Sequence, residues 1–312
     1  MIKVSIIIPV YNRERLIVET LESVLAQTWQ NWECVVVDDG SGDGSVEAAQ
    51  EFALRDNRFK VFVRPENRKG GGNAARNFGF EQSTGDLVNW FDSDDLMTPD
   101  FIAQKVACFF SHPQADAVIS KRMVFSGSPS NIVFRENRTK LTDTILEDFL
   151  LINTTWFLPD VMWRKSYLTG KLLFNEALFS GQDRDFHIRM LMLDPQLALC
   201  DHYLTLCRSH PDNITTNINR RRPLKMSHLV AMDGIFAQLE AQGKLTQKVK
   251  VFYFWRMVKY LPFVSTADEH GLLLQTLRRL HVNSARIFWQ WIRFWVAKAS
   301  FALTGKGYFL LR

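Results

Sequence analysis

The chain is poor in cysteine and lacks long apolar runs. Its 312 residues include four cysteines, too few for the disulfide framework of a small secreted domain, so we expect a reducing compartment. No uninterrupted apolar stretch reaches the roughly 18 to 20 residues that a membrane-spanning helix requires. The apolar run near the amino terminus meets Asn12 and Arg13 without a small-residue cleavage site, unlike an export signal. These absences predict a cytoplasmic protein.

Signatures of several common ligand sites are also missing. The glycine-rich segment 69–77 is neither a Walker loop nor a G-x-G-x-x-G run that follows a strand, so the usual ATP and NAD interpretations lose their support. Residues 200–210 contain two cysteines and two histidines, but their spacing fits no usual zinc pattern. Alternation through Tyr203, Leu204 and Leu206 favours a strand there instead of a zinc site.

Acidic residues are absent after Glu269. Residues 270–312 carry seven basic residues whereas the whole chain has a net charge of +5, so the preceding part is slightly acidic. Arg286 and Arg293 share one helical stripe, and three of the nine tryptophans cover the remaining surface, a pattern typical of a helix at a membrane interface. The alternative is a helix packed on this protein or in a homodimer. Nucleic-acid binding fits poorly because the basic residues are few.

The first half of the chain alternates apolar, β-rich runs with helical patterns. We predict strands at 4–8, 34–37, 59–63 and 87–91, with helices between them. Strands separated by helices imply a mostly parallel sheet covered on both faces, in which ligands bind at the carboxyl ends of the strands. Polar clusters occur at those ends, namely Asn12-Arg13, Asp38-Asp39 and Asp92–Asp95.

The second half is less regular. We predict helices at 141–151 and 181–193, and a boundary at Arg220-Arg221-Arg222-Pro223. The chain is therefore expected to comprise an α/β domain over 1–222 and a helical, basic and aromatic region over 223–312.

The strongest local signal is the segment Trp90-Phe91-Asp92-Ser93-Asp94-Asp95. Three carboxylates after a strand concentrate negative charge, and a hard divalent cation such as Mg²⁺ or Mn²⁺ would relieve that repulsion. The alternative is a solvated turn in which Asp94 or Asp95 caps the next helix.

Two weaker signals precede it. An acid at the end of a strand, as in Asp38-Asp39-Gly40-Ser41, can accept a hydrogen bond from a base or a ribose, although a helix-capping loop fits that segment equally well. The glycines of segment 69–77, Gly71 among them, let the backbone approach a ligand, and Arg76 offers a guanidinium to a phosphate or an acid.

Taken together, the order and spacing of these motifs resemble the nucleotide-binding half of family 2 glycosyltransferases, inverting enzymes of the GT-A fold that include those of bacterial cell-surface polysaccharide synthesis. The resemblance extends over roughly residues 2–212 and is most specific up to residue 100. The segments that carry it are 4–13, 35–41, 75–79 and 85–95.

The resemblance implies a nucleotide-sugar donor, most often a UDP-sugar in this family. Asp39 would read the base, Asp94 would approach the ribose, and Arg76 would orient Asp94 or the donor sugar. Asp92 would contact metal or sugar. The full set of donor-binding residues that we predict is Pro9, Tyr11, Asn12, Arg13, Asp39, Gly71, Arg76, Asp92 and Asp94.

The resemblance also implies the metal ligands. Asp95 would hold Mn²⁺ or Mg²⁺ on the diphosphate of the donor. Arg208-Ser209-His210 resembles an Arg-x-His segment near the diphosphate, which makes His210 a second candidate ligand; a loop histidine without function is the alternative.

A base is implied for the acceptor hydroxyl. The segment 180–186 resembles the family's acidic motif that opens a helix, which assigns the base to Asp183. Gln182 stands where the family usually has Glu, and Asp185 is the competing acid, with a helix-surface ion pair as its structural alternative. Trp156 and Phe157 are the residues expected to contact the acceptor.

The sequence therefore predicts an inverting, metal-dependent glycosyltransferase that extends a lipid-linked or surface glycan at the cytoplasmic face of the membrane. The competing hypothesis is a non-catalytic scaffold of the same fold in a glycan-assembly complex. A nucleotidyltransferase is disfavoured because its basic signature loop near the amino terminus is absent.

Overall fold

A computed structural model of the chain describes residues 1–209, 221–281 and 296. Within them, a nine-stranded mixed sheet is flanked by helices on both faces. The strands are β1 (Val4–Val10), β2 (Trp32–Asp38), β3 (Phe59–Val63), β4 (Leu87–Trp90), β5 (Leu96–Met97), β6 (Ala117–Ser126), β7 (Ile132–Arg135), β8 (Val161–Arg164) and β9 (Leu197–Ser209). The helices are α1 (Glu14–Leu25), α2 (Ser45–Arg55), α3 (Gly72–Gln82), α4 (Phe101–Ser111), α5 (Ile145–Leu150), α6 (Lys165–Leu168), α7 (Gln182–Leu191), α8 (Arg221–Ala241), α9 (Gln247–Val258) and α10 (Ala267–Arg279).

The order of the strands creates a crevice at the carboxyl end of β1. The sheet runs β3-β2-β1-β4-β8-β6-β9-β5, with β7 paired to β6. Strands β2 and β4 both lie parallel to β1, on opposite sides of it. The chain first adds strands on one side of β1 and then on the other, and ligands bind at such a switch point.

The other half of the sheet is largely antiparallel. Strand β8 runs antiparallel to both β4 and β6, and β9 runs parallel to β6. The predicted strand around residue 203 is confirmed as part of β9, and all four cysteines are free thiols. The short strand β5 pairs with β9, which ties the acidic segment 92–95 to the far end of the sheet.

Both faces of the parallel half are buried, as the apolar runs predicted. Ile6 and Ile8 of β1 pack on the face covered by α1, α2 and α4, whereas Ile7 packs on the opposite face. Successive side chains of a strand point to opposite faces, so burial on both sides requires a continuous apolar run. Each fully buried side chain of this size contributes about 1.5–3 kcal/mol.

Helices α8 to α10 extend the core on the second face. Leu229 of α8, Phe254 of α9 and Leu277 of α10 are fully buried in the same cluster as Trp90 and Phe186. The division at residue 222 stays a prediction, and the stripe around residues 286–300 lies outside the described residues. No helix in the described part of the chain is both long and apolar enough to cross a membrane.

Some predicted helix boundaries differ from the structure. Helix α2, one of the helices expected between the strands, begins at Ser45, whose hydroxyl accepts the N–H of Arg13 and donates to Asp43. Helix α4 begins at Phe101, two residues after Pro99. Helix α5 is shorter than the predicted 141–151 because residues 141–144 form loop contacts, among them Thr142 with Asp148.

The close approach of α3 to the sheet depends on Gly79. A Cβ at this position would clash with Ile7 and lie 3.2 Å from Cγ2 of Val37. We therefore expect Gly79→Ala to lower the free energy of unfolding by about 1–3 kcal/mol, measured by urea denaturation. Gly234→Ala is the control, since no heavy atom lies within 4 Å of its added Cβ on an exposed face of α8. It should raise stability by about 0.5–1 kcal/mol; equal effects at the two sites would contradict the packing described.

Candidate active site

The loops that follow β1 and β2 are joined at the crevice. Asn12 adopts a positive φ of 50°, which asparagine tolerates better than most residues. Its backbone N–H donates to the hydroxyl of Ser41 (3.0 Å), and its side-chain oxygen accepts the N–H of Gly42 (2.8 Å). Tyr11, at the mouth of the crevice, is 55% exposed, so its ring is accessible to a ligand.

Asp39 and the glycine-rich loop are in direct contact. The carboxylate of Asp39 accepts the N–H of Gly71 (3.0 Å) and forms an ion pair with Arg64. Gly71 has a φ of 136°, a conformation essentially restricted to glycine, and this directs its N–H to Asp39. The neighbouring Asp38 is buried and accepts the N–H of Gly40 (2.9 Å), so its role is to shape the turn.

Two arginines bind the acidic segment. Arg76 pairs with Asp92 at 3.0 Å, and Arg13 lies 3.5 Å from Asp94. Arg76 was expected to orient Asp94 or the sugar; in the structure its carboxylate partner is Asp92, because α3 faces the first acid of the segment. Among the described residues the Nε of Arg76 has no hydrogen-bond partner, although it is buried, which leaves one N–H available to a ligand oxygen.

Asp95 is the most enclosed of the three acids, at 4% exposure. Its Oδ1 accepts the backbone N–H of Arg208 (2.8 Å), and its carbonyl accepts the hydroxyl of Thr20 (2.9 Å). Burial, together with the charges of Asp92 and Asp94, raises the pKa of Asp95 well above its usual range. Burial also raises the pKa of Asp92. The cations in the described part of the chain therefore leave the negative charge of this segment incompletely balanced.

The excess negative charge of this segment raises the question whether its residues could hold a divalent cation. In 1–209 and 221–281 no three His, Cys, Asp or Glu side chains form a cluster that could hold a metal ion by themselves. Asp92 and Asp95 fit a different arrangement, in which one or two carboxylates bind the ion and substrate phosphates and water complete its shell. His210, the second predicted ligand, lies outside the described residues.

Asp183 lies in the first turn of α7. Gly181, with a φ of 82°, precedes the helix, and the positive end of the helix dipole favours an acid at this position. Burial, with a smaller contribution from the charge of Asp92, raises the pKa of Asp183 to about 6, although Arg76 and Arg122 oppose the rise. The charges of Asp92 and Arg76 both act on Asp183, and Asn73 of α3 donates to the carbonyl oxygens of Asn175 and Leu178, so the start of α7 lies near the acidic segment.

The competing acid on the same helix has a structural partner. Asp185 is buried and forms an ion pair with Arg189 one turn later, at 2.7 Å. Arg189 also donates to the carbonyl oxygens of Leu172 and Leu173. The predicted ion pair of Asp185 is therefore present, but it is buried and not on the helix surface, and it occupies the carboxylate.

The two residues expected to contact the acceptor occupy different environments. Trp156 is 3% exposed and packs against Phe149, with ring centroids 4.5 Å apart, so its ring is not accessible to an acceptor. Its placement on an acceptor surface is corrected accordingly. Phe157 is half-buried, and the guanidinium of Arg122 lies 3.4 Å above its ring.

A family comparison agrees with this geometry. The family model described as "Glycosyl transferase family 2" matches residues 5–176, more than half of the chain. The chain belongs to glycosyltransferase family 2. The prediction of the family is thus confirmed, and the matched range includes Asp39, Arg76 and the segment 92–95.

Curated relatives match over part of their length. Glycosyltransferase GlyG of Streptococcus pneumoniae is 36% identical over 131 residues, which are 42% of this chain and 42% of GlyG. The uncharacterized glycosyltransferase EpsJ of Bacillus subtilis is 27% identical over 219 residues, 68% of this chain and 62% of EpsJ. The matched segments therefore span less than two thirds of these relatives.

Solved structures confirm the GT-A fold. S. aureus TarS 1–349 in complex with UDP-GlcNAc superposes with a TM-score of 0.66 at 20% identity, covering 89% of this chain and 80% of TarS 1–349. The mannosyltransferase PcManGT from Pyrobaculum calidifontis, in complex with GDP-Man and Mn²⁺, gives a TM-score of 0.53 at 17% identity and covers 97% of this chain and 87% of PcManGT.

Two arginines of this family 2 chain were missed by the sequence analysis. Arg64, directly after β3, is the partner of Asp39, and Arg122 of β6 offsets part of the pKa rise in Asp92 and Asp183. Among the described residues the Nε of Arg122 is buried without a hydrogen-bond partner. A basic pair, Lys121-Arg122, inside an otherwise apolar strand was the available signal.

Proposed function

We propose that this chain transfers a sugar from a nucleoside diphosphate sugar to an acceptor hydroxyl, with inversion at the anomeric carbon. The observation that carries the proposal is Asp183 itself, an acid in the first turn of α7 whose pKa is raised and on which the charges of Asp92 and Arg76 both act. An ionisable base opposite a cation- and diphosphate-binding segment is what a single displacement requires.

The donor side of the proposal is supported by the loops after β1 and β2. Pro9, Tyr11, Asn12, Arg13 and Asp39 lie at the carboxyl edge where an open parallel sheet binds nucleotides. TarS with UDP-GlcNAc and PcManGT with GDP-Man share the fold, which supports a nucleotide-sugar donor here. We propose a UDP-sugar, bound further by Gly71, Arg76, Asp92 and Asp94.

The metal of the proposal is Mn²⁺ or Mg²⁺, held by Asp95 with Asp92. Bound there, the cation would act as a Lewis acid that stabilises the charge on the departing diphosphate. PcManGT is a GT-A neighbour whose structure contains Mn²⁺, which supports a divalent ion. Arg13 and Arg76 hold Asp94 and Asp92, and so keep the carboxylates of the segment oriented.

Asp183 supplies the chemistry on the acceptor side. Its carboxylate accepts the proton of the acceptor hydroxyl while that oxygen attacks the anomeric carbon from the face opposite the nucleotide. One displacement with one base inverts the configuration of the sugar. Asp185 does not compete for this role, because Arg189 holds its carboxylate.

The pH dependence of turnover follows from this role. Asp183 accepts a proton only when it is ionised, and burial raises its pKa to about 6. Below that pH the ionised fraction falls about tenfold per unit, so kcat should fall in proportion and should be constant above it. A pH profile of kcat measures this limb directly. A kcat that is unchanged down to about pH 4.5 would exclude Asp183 as the base.

The acceptor that we propose is a glycan or a lipid-linked sugar of surface polysaccharide synthesis, at the cytoplasmic face of the membrane. The basic and aromatic composition of residues 282–312 supports peripheral binding there, with packing in a homodimer as the alternative. Flotation with anionic liposomes tests it. The control chain should end at residue 281, because Leu277 and Leu280 are fully buried in the core; equal flotation of both chains would exclude the anchor.

Donor binding is tested by thermal shift. A panel of nucleotide sugars, each with and without Mn²⁺, should contain one that raises the Tm in the presence of the metal. A ligand at 100 times its Kd stabilises the folded state by about 2.7 kcal/mol. If no nucleotide sugar changes the Tm, the donor-site proposal is wrong.

A further inference from the structure

One hydroxyl of α8 holds the turn that precedes Asp183. The Oγ of Ser227 accepts the backbone N–H groups of Phe179 and Ser180, each at 2.9 Å. The same hydroxyl donates to the carbonyl oxygen of Ser180 at 2.9 Å. Three hydrogen bonds from one side chain therefore fix two consecutive residues of this turn.

A second hydroxyl, on α9, holds the residue that follows the base. The OH of Tyr253 accepts the Nε–H of Arg184 (3.1 Å) and donates to the carbonyl oxygen of Leu150 (2.9 Å). Arg184 also donates to the carbonyl oxygens of Phe149 (2.9 Å) and Leu150 (2.8 Å) at the end of α5. Tyr253 is 2% exposed, so its position is set by packing.

Helix α3 supports the same turn from the other side. Asn73 donates through its side-chain amide to the carbonyl oxygens of Asn175 (2.8 Å) and Leu178 (3.0 Å). A Cβ on Gly181 would lie 3.3 Å from the ring of His228 of α8, so the helix and the turn are in direct contact. The segment around Asp183 is thus enclosed between the donor-binding half of the fold and the carboxyl-terminal helices.

We propose that α8 and α9 belong to the catalytic apparatus and that Ser227 and Tyr253 are positioning residues for Asp183. The inference rests on the proposed role of Asp183 as the base. Both hydroxyls lie beyond the matched family segment, which ends at residue 176. Neither needs to contact substrate, because each acts on the backbone or side chain adjacent to the base.

The expected effect is on turnover and not on donor binding. Displacing a catalytic group by about 1 Å can cost about 10²-fold in rate. Removing the Ser227 hydroxyl should therefore lower kcat by about 10- to 100-fold. The KM for the donor and the Kd for UDP in Mn²⁺ should stay unchanged, since no residue of the donor pocket is altered.

Two variants of Ser227 make the test specific. Valine and threonine have nearly the same shape and differ in the hydroxyl, so Ser227→Thr should retain kcat and Ser227→Val should lose it. Tyr253→Phe should lower kcat in the same way. Thr276→Val is the control: its hydroxyl is buried and donates to Asp233 at 2.9 Å, between α10 and α8. This variant should lower the Tm and leave kcat unchanged.

Hydrogen exchange gives a readout that does not depend on activity. The amides of Phe179 and Ser180 should exchange faster in Ser227→Val than in Ser227→Thr. Equal kcat in these two variants overturns the proposal, whatever the exchange rates. If the wild-type chain turns over no donor, the proposed function fails instead. In that case, amide exchange at Phe179 and Ser180 that is no faster in Ser227→Val than in Ser227→Thr would show that the Ser227 hydroxyl does not hold this turn.

Discussion

Asp183→Asn is expected to lower kcat by about 10²–10⁴-fold while the affinity for the donor stays the same. The amide has nearly the shape of the carboxylate but cannot accept the proton of the acceptor hydroxyl. Burial holds the pKa of Asp183 at about 6, so the wild-type side chain is mostly ionised at neutral pH and still basic enough to take a proton. The measurement is steady-state release of nucleoside diphosphate, with donor affinity determined by calorimetry.

The matched control for this prediction is Asp194→Asn. Asp194 follows the same helix, its side chain is 79% exposed, and it pairs only on the surface with Lys244 at 2.9 Å. The control should leave kcat and stability within error of the wild type. An Asp183→Asn chain that turns over at the wild-type rate would show that another group removes the proton.

Asp95→Asn is expected to lower the affinity for the nucleotide in the presence of Mn²⁺ by about 10–100-fold or more. Loss of an outer-shell partner alone lowers the metal affinity of a site by about this factor. Asparagine retains an oxygen that can accept the backbone N–H of Arg208, so the segment should keep its conformation. The lost charge removes the attraction for the cation. Calorimetric titration of UDP with and without Mn²⁺ measures the effect.

The chelated wild type is the reference for that experiment. In EDTA the wild type and the Asp95→Asn variant should bind UDP equally weakly, because neither then has a cation. Asp201→Asn serves as the control substitution, since Asp201 is exposed at 68% on β9 and pairs with Lys121. Equal affinities of wild type and Asp95→Asn in Mn²⁺ would contradict the metal role of Asp95.

The parallel half of the fold was predictable because it is local in sequence. Strands β1 and β2 are buried on both faces, so each consists of a nearly continuous run of apolar residues. Each crossover helix follows one strand and precedes the next along the chain. The polar residues after them mark the edge at which they meet. This is why Asn12 and Asp39 could be expected in one crevice.

Partner choice within the site was not predictable. Arg76 pairs with Asp92 and Arg13 with Asp94, although either pairing satisfies the same charges. The choice depends on how α3 approaches β4, which is a tertiary property. Burial of Trp156 is similar: the side chain was expected to contact the acceptor, whereas contact with Phe149 and with His187 of α7 places its ring in the core.

The carboxyl-terminal helices show the same limit at a larger scale. The composition predicted a separate basic, aromatic region after residue 222. The contacts of its helices, however, are specific and join residues that are far apart in the sequence. Ser227 reaches Ser180, and Tyr253 reaches Arg184, across 47 and 69 residues of sequence. Such pairs have no periodic signature, so only the folded structure reveals that this region adjoins Asp183.

The central claim, that this chain is an active glycosyltransferase and not a scaffold of the same fold, is tested most directly by donor turnover. The nucleotide sugar that raises the Tm should be incubated with the wild-type chain and Mn²⁺, and nucleoside diphosphate release should be followed over time. We expect release that depends on Mn²⁺ and is abolished by EDTA. A donor that binds tightly but is not cleaved, whether water or a sugar is supplied as the acceptor, would contradict this claim. That result would favour a non-catalytic scaffold of the same fold.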